Sequence, residues 1–77
     1  MEYTLAELKS GKHAKIKLIE GGTEFSRKMS LLNIRTGKKI RKVASQPMKG
    51  PIVIEIDSRK IALGRGMSRK IIVEASE

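Results

Sequence analysis

Ligation, nucleophilic attack and proton transfer need particular side chains at particular spacings, and this 77-residue chain offers few. His13 is the single histidine and lies among Lys12 and Lys15, while cysteine is absent. Glu7, Glu20, Glu24, Glu55, Asp57 and Glu74 are scattered, most of them beside lysine or arginine. A transition-metal centre needs several N, S or O donors converging at short range. The spacing therefore predicts a solvated loop histidine and no metal-binding residues. Ser26 and Ser30 fall in a helical pattern with no His or Lys–Asp pair to activate them. Gly64-x-Gly66 is a fragment of a dinucleotide fingerprint without a βαβ unit or a third glycine. Gly21-Gly22 before a helix could cradle an anion, but Glu20 and Glu24 flank it and repel phosphate. No catalytic residue, no cofactor and no enzyme is expected.

Charge is the remaining chemistry. The net charge is +9 and the isoelectric point about 10.3, which biases the chain toward anionic partners. Lys38, Lys39, Arg41 and Lys42 form one cluster; Arg65, Arg69 and Lys70 form another. Such runs serve either as solvated faces or as contacts for an acidic partner. Nucleic acid is one such partner, but single-strand binders usually stack bases on aromatic rings. Tyr3 and Phe25 are the only aromatics here. Phe25 also sits on an apolar helix face, where a core role is the simpler reading.

These groups must be positioned by one small domain. A chain of this length buries roughly 60–65% of its unfolded surface, so the core is thin. Its N-terminus, Met1-Glu2-Tyr3-Thr4, does not read as a signal peptide. The longest apolar runs, such as Ile52-Val53-Ile54, are too short to span a bilayer. A cytoplasmic protein with no direct membrane insertion and no small-molecule substrate is the expectation.

The most informative stretch runs from Gly21 to Val43. Gly21-Gly22 breaks a strand, and Thr23 is placed to cap a helix over 23–32 with Glu24 at its positive end. Phe25, Met29 and Leu32 mark the apolar face. Asn33 tolerates the left-handed conformation that stops a helix. Thr36-Gly37 turns into a basic strand over 38–44. Ile40 and Val43 are out of phase there, which predicts a bulge.

Elsewhere, Thr4 and Glu7 read as a capping box over residues 4–8, with Leu5 and Leu8 on one face. Ala14, Ile16 and Leu18 alternate with Lys15 and Lys17, as in a half-buried strand. A loop is expected at 46–51. Ile52, Ile54 and Ile56 form a strand, Asp57-Ser58-Arg59-Lys60 a hairpin turn, and Ile61 and Leu63 a return strand. Residues 64–68 read as a loop, Ile71-Ile72-Val73 as the last strand, and 75–77 as a polar tail. The pattern predicts a mainly β, partly open antiparallel barrel of about five strands, with a short helix inserted between the first two long strands. The expected core is Ile16, Leu18, Phe25, Met29, Leu32, Ile40, Ile52, Ile54, Ile61, Leu63 and Ile71.

The ordered series Thr4-Leu5-x-Glu7-Leu8, Gly11, Ala14-x-Ile16, Glu20-Gly21-Gly22, Leu32-Asn33-Ile34-x-x-Gly37, Gly50-Pro51-Ile52, Ile61-Ala62-Leu63 and Ile71-x-Val73 resembles the FeoA family across nearly the whole chain. Two positions depart from that pattern. Asn33 stands where the family usually has glycine, and Ser58-Arg59 where many members carry a glycine in the hairpin. The resemblance implies an SH3-like barrel. It also implies a role in ferrous iron transport through association with FeoB, a membrane permease carrying a cytosolic GTPase domain, which would recruit the protein to the inner face of the membrane. It brings no catalytic residues. The same fold occurs as the C-terminal domain of iron-dependent repressors.

Two readings follow: a protein-interaction module in iron transport, or a small basic nucleic-acid-binding barrel supported by charge alone. Two regions could carry a partner contact. One is the helix side with Arg27 and Lys28, continuing to Arg35. The other is the 65–69 segment, where Met67 is framed by Arg65 and Arg69. Met67 is either an adaptable contact or a plug under the barrel.

Overall fold

The computed structural model describes residues 1–45 and 50–75, with the Ser45 side chain left out. Residues 46–49 of the loop expected at 46–51 and the end of the polar tail at 76–77 lie outside the described residues. The elements run β1 (Glu2–Thr4), β2 (His13–Ile19), α1 (Gly22–Leu31), β3 (Lys39–Ser45), β4 (Ile52–Ile56), β5 (Arg59–Leu63), α2 (Arg65–Ser68) and β6 (Ile71–Glu74). The strands form one antiparallel sheet in the order β1-β6-β2-β3-β4-β5. β1 and β5 are its edges, so the barrel is open, as the alternation predicted.

Two elements differ from expectation. The sixth strand is β1, which pairs Glu2 with Glu74 and Thr4 with Ile72 across β6. Three residues are too few to show a strand period. The expected loop at 64–68 closes instead into α2. There the Ser68 amide donates to the Gly64 carbonyl at 2.9 Å and its hydroxyl does so at 3.0 Å.

Local chemistry explains most boundaries. The capping box forms as read: the Thr4 amide donates to Glu7 Oε1 at 2.9 Å, and the Glu7 amide to Thr4 Oγ1 at 3.2 Å. α1 begins one residue earlier than expected, and Thr23 does not cap it. The cap position is Gly21, with φ 106° and no side-chain capping bond. A Cβ there would lie 2.9 Å from Lys70 Cδ and 3.1 Å from Phe25, so the left-handed backbone favours glycine and a side chain would also have to displace the Lys70 stem. At the other end Asn33 has φ 64°. The Ile34 amide donates to the Met29 carbonyl at 2.8 Å and the Asn33 amide to Ser30 at 2.9 Å. This is a Schellman stop, and Met29 and Ile34 supply its buried apolar contact.

Bulges decide which side chains face inward. In β3, Lys42 pairs with Ile54 and Ala44 with Val53, leaving Val43 as the extra residue. Ile40 and Lys42 are the buried residues of the strand, and Val43, half-buried, falls at the expected bulge. A second bulge, unforeseen, lies in β2, where Ile16 pairs with Val73 and Leu18 with Ile72. Lys17 is the extra residue, so Ile16 and Ile19 point inward and Leu18 is pushed out to 49% exposure. Leu18 is therefore not core. Leu32 is also exposed, because the helix stop turns it away, while Phe25 and Ile61 are half-buried. The core gains Leu5, Leu8, Ile34, Ile56, Val73, Ala14 and Ala75.

The β4–β5 hairpin turn is confined to Asp57 and Ser58, both with positive φ (51° and 64°). Two successive left-handed residues define a type I′ turn, whose twist matches the strands. No glycine occupies it. Asp57 is instead held by Lys38 at 2.8 Å and by the Asn33 side-chain amide. Two of the three non-glycine left-handed sites among the described residues, Asn33 and Asp57, thus brace each other.

Candidate interaction surface

The two expected contact regions are built differently. Arg27 and Lys28 lie exposed on α1, and Arg35 is exposed just beyond the Schellman stop. Leu31 lies four residues from Arg27 and three from Lys28, so it shares their side of the helix. Its side chain is 80% exposed, and neighbouring Leu32 is 37% exposed. An apolar pair framed by cations was not foreseen, since Leu32 read as core and Leu31 was not singled out. The C-terminal end of α1 is anchored to the hairpin, because Arg59 Nη2 donates to the Leu32 carbonyl at 2.9 Å.

In α2, Arg65 and Met67 are half-buried, and Met67 packs against the core. Arg69 is exposed. It precedes Lys70, whose carbonyl accepts from the Glu20 amide at 2.7 Å and whose ammonium lies 5.0 Å over the Phe25 ring. Arg69 therefore sits near the start of α1 and Arg35 near its end, while Arg65 and Met67 pack toward the barrel. The six residues do not form one compact patch.

The 38–42 cluster is also divided by the fold. Lys38 pairs with Asp57, and Arg41 with Glu55 at 3.2 Å. Lys42 is only 2% exposed: its ammonium donates to the carbonyls of Ala6 at 2.9 Å and Leu8 at 2.5 Å. Burial, helped by the charge of Arg65, pushes its pKa below the usual lysine value. Lys42 thus clamps the turn after β1 and is structural. The hint in the sequence was its inward phase with Ile40. Hydrogen bonding from Lys38, reinforced by Asn33 and the charges of Lys38 and Arg59, lowers the Asp57 pKa despite some desolvation. Lys17 and Glu2 pair at the surface, lowering the Glu2 pKa and raising that of Lys17.

His13 begins β2, opposite Arg41, and is exposed in a strand rather than in a loop. Among the described residues no three His, Cys, Asp or Glu side chains group to hold a metal ion. Nor is any described helix long and apolar enough to cross a membrane.

An open six-stranded sheet with one three-turn helix, a cationic exterior and a capped, glycine-started α1 defines a small SH3-like β module. Residues 3–75 match the FeoA domain family, and the chain belongs to that family, which serves Fe(2+) transport and is not a known enzyme family. It is 33% identical over 75 residues to a protein of Methanocaldococcus jannaschii assigned as Fe(2+) transport protein A, covering 97% of this chain and 89% of that one. The crystal structure of an iron uptake regulatory protein, FeoA, superposes with a TM-score of 0.89 at 25% identity, covering 99% of both chains. A manganese-dependent transcriptional repressor shares the fold with a TM-score of 0.86 at 20% identity, over 97% of this chain and 42% of its own.

Proposed function

We propose that the chain is a non-catalytic accessory protein of ferrous iron uptake. It works in the cytoplasm as an interaction module on the GTPase-bearing part of a FeoB-type permease, through which it reaches the inner face of the membrane. The match of residues 3–75 to the FeoA domain family carries this reading. The α1 side is the contact: Leu31, 80% exposed, supplies an apolar anchor, and Arg27, Lys28 and Arg35 frame it. Interfaces favour an apolar centre with arginine around it. The α2 segment contributes less, because Arg65 and Met67 are already half-buried, and exposed Arg69 adds charge beside the start of α1. Charge alone speaks for nucleic acid, and Phe25 is half-buried with Lys70 already over its ring.

The test is capture by the permease's purified cytosolic domain. Arg27→Glu/Leu31→Asp should abolish capture with an unchanged circular dichroism spectrum, and Arg65→Glu/Arg69→Glu should slow association in a salt-sensitive way. Loss in the α2 variant alone moves the contact to α2. Full capture of both folded variants overturns the reading.

A further inference from the structure

The outer face of the sheet holds a second basic feature, away from both helices. Lys15 of β2 stands directly opposite Lys39 of β3 on one side and Glu74 of β6 on the other. Like charges so placed repel and weaken a sheet. Neighbouring cations have partners: Lys17 with Glu2, Lys38 with Asp57, Arg41 with Glu55. Among the described residues, Lys12, Lys15 and Lys39 are in no ion pair. These three lysines line an open groove of about 600 Å³ together with Gly11, His13, Ala14 and Glu74. Glu74 offsets one of these lysines, so the groove keeps an excess of positive charge, three lysines against one carboxylate.

We propose that this groove seats a short acidic polypeptide segment of a partner protein, with carboxylates over Lys15 and Lys39. The occupant follows from the charges at the rim. Glu74 bounds the groove on the β6 side, and Glu55 and Asp57 line the adjoining depression that shares His13 and Lys39. Glu55 and Asp57 are already paired with Arg41 and Lys38, so a long polyanion such as a nucleic-acid strand would meet no further unpaired cation along that depression, whereas two or three carboxylates on an extended peptide match the groove's own lysines. No aromatic side chain lines the groove to stack a base. The inference is independent of the α1 contact.

The experiment titrates isotope-labelled protein with N-acetyl-tetraglutamate amide at low ionic strength and follows backbone amide shifts. Shifts should concentrate at residues 11–17, 37–41 and 74. Lys15→Gln/Lys39→Gln should weaken binding about tenfold or more. Lys9→Gln/Lys60→Gln, which loses the same charge at two exposed lysines outside the groove, should bind the peptide as the wild type does. Equal weakening in both variants, or shifts spread evenly over the surface, would overturn the site. Tighter groove binding by a tetrathymidylate than by the peptide would overturn the occupant.

Discussion

Lys42 is the sharpest test of how this fold is held together. Its ammonium is buried and donates to two carbonyls in the turn that joins β1 to β2, while its backbone carbonyl accepts from Gly11 at 2.6 Å. Lys42→Ala removes three buried methylenes, about 2 kcal/mol of apolar burial. It also strips the buried Leu8 carbonyl of its donor, at about 1–3 kcal/mol, and the Ala6 carbonyl, which water reaches more easily. Relief of the desolvated ammonium returns part of this. The net loss should be about 3 kcal/mol, a large share of the roughly 4–12 kcal/mol available to a domain of this size. Lys42→Met keeps most of the stem volume and should lose only about 1–2 kcal/mol. Urea denaturation at neutral pH separates the two. The pH dependence has a definite sign. Burial, then Arg65, lowers the folded-state pKa below 10.5, so between those values the unfolded chain binds more protons at this site. The Lys42 contribution is therefore complete above pH 10.5 and declines as pH falls through the folded pKa. Wild-type stability minus that of Lys42→Met should rise as the pH climbs toward 10.5. A flat difference, or a Lys42→Ala protein within about 0.5 kcal/mol of wild type, would refute the clamp.

Three further outcomes are expected. Gly21→Ala should cost about 2–3 kcal/mol, from left-handed strain plus the 2.9 Å approach of Lys70 Cδ. Gly22→Ala, with φ +87° and open space around its Cβ, should cost only about 1 kcal/mol, and a smaller melting-temperature loss for Gly21→Ala would contradict this. Phe25→Ala should cost about 2 kcal/mol in chemical denaturation, below the range for a fully buried ring, because Phe25 is half-buried. Asp57 has a lowered folded pKa, so its contribution is complete above about pH 3.8 and is lost as pH falls through the folded value. The acid limb of the stability curve should accordingly be shallower for Asp57→Asn, and an identical limb would show that Lys38 and Asn33 do not bind the carboxylate in solution.

Local signals with their own periodicity or cap were legible from the residues alone. Thr4 and Glu7 announced their reciprocal cap, Asn33 its left-handed helix stop, and Ile52, Ile54 and Ile56 a buried strand, because each depends on neighbours within about five residues. The clash of Ile40 with Val43 even exposed the β3 bulge, since two inward positions three apart cannot share a regular strand. The ordered series of glycines and apolar pairs carried the family resemblance. Tertiary structure decided what depends on distant partners. The β2 bulge at Lys17 turned Leu18 outward, an outcome set by pairing with β6 some fifty residues away. The short β1 exists only because β6 is there to receive it. Lys42 looked like one cation in a run until the turn at Ala6 and Leu8 folded over its ammonium. Leu31 read as an ordinary helical leucine and proved 80% exposed, while Lys15 and Lys39 became a facing pair only through the β2–β3 register. Composition determines how much charge and apolar surface the chain carries; register, bulges and strand pairing determine where each is presented.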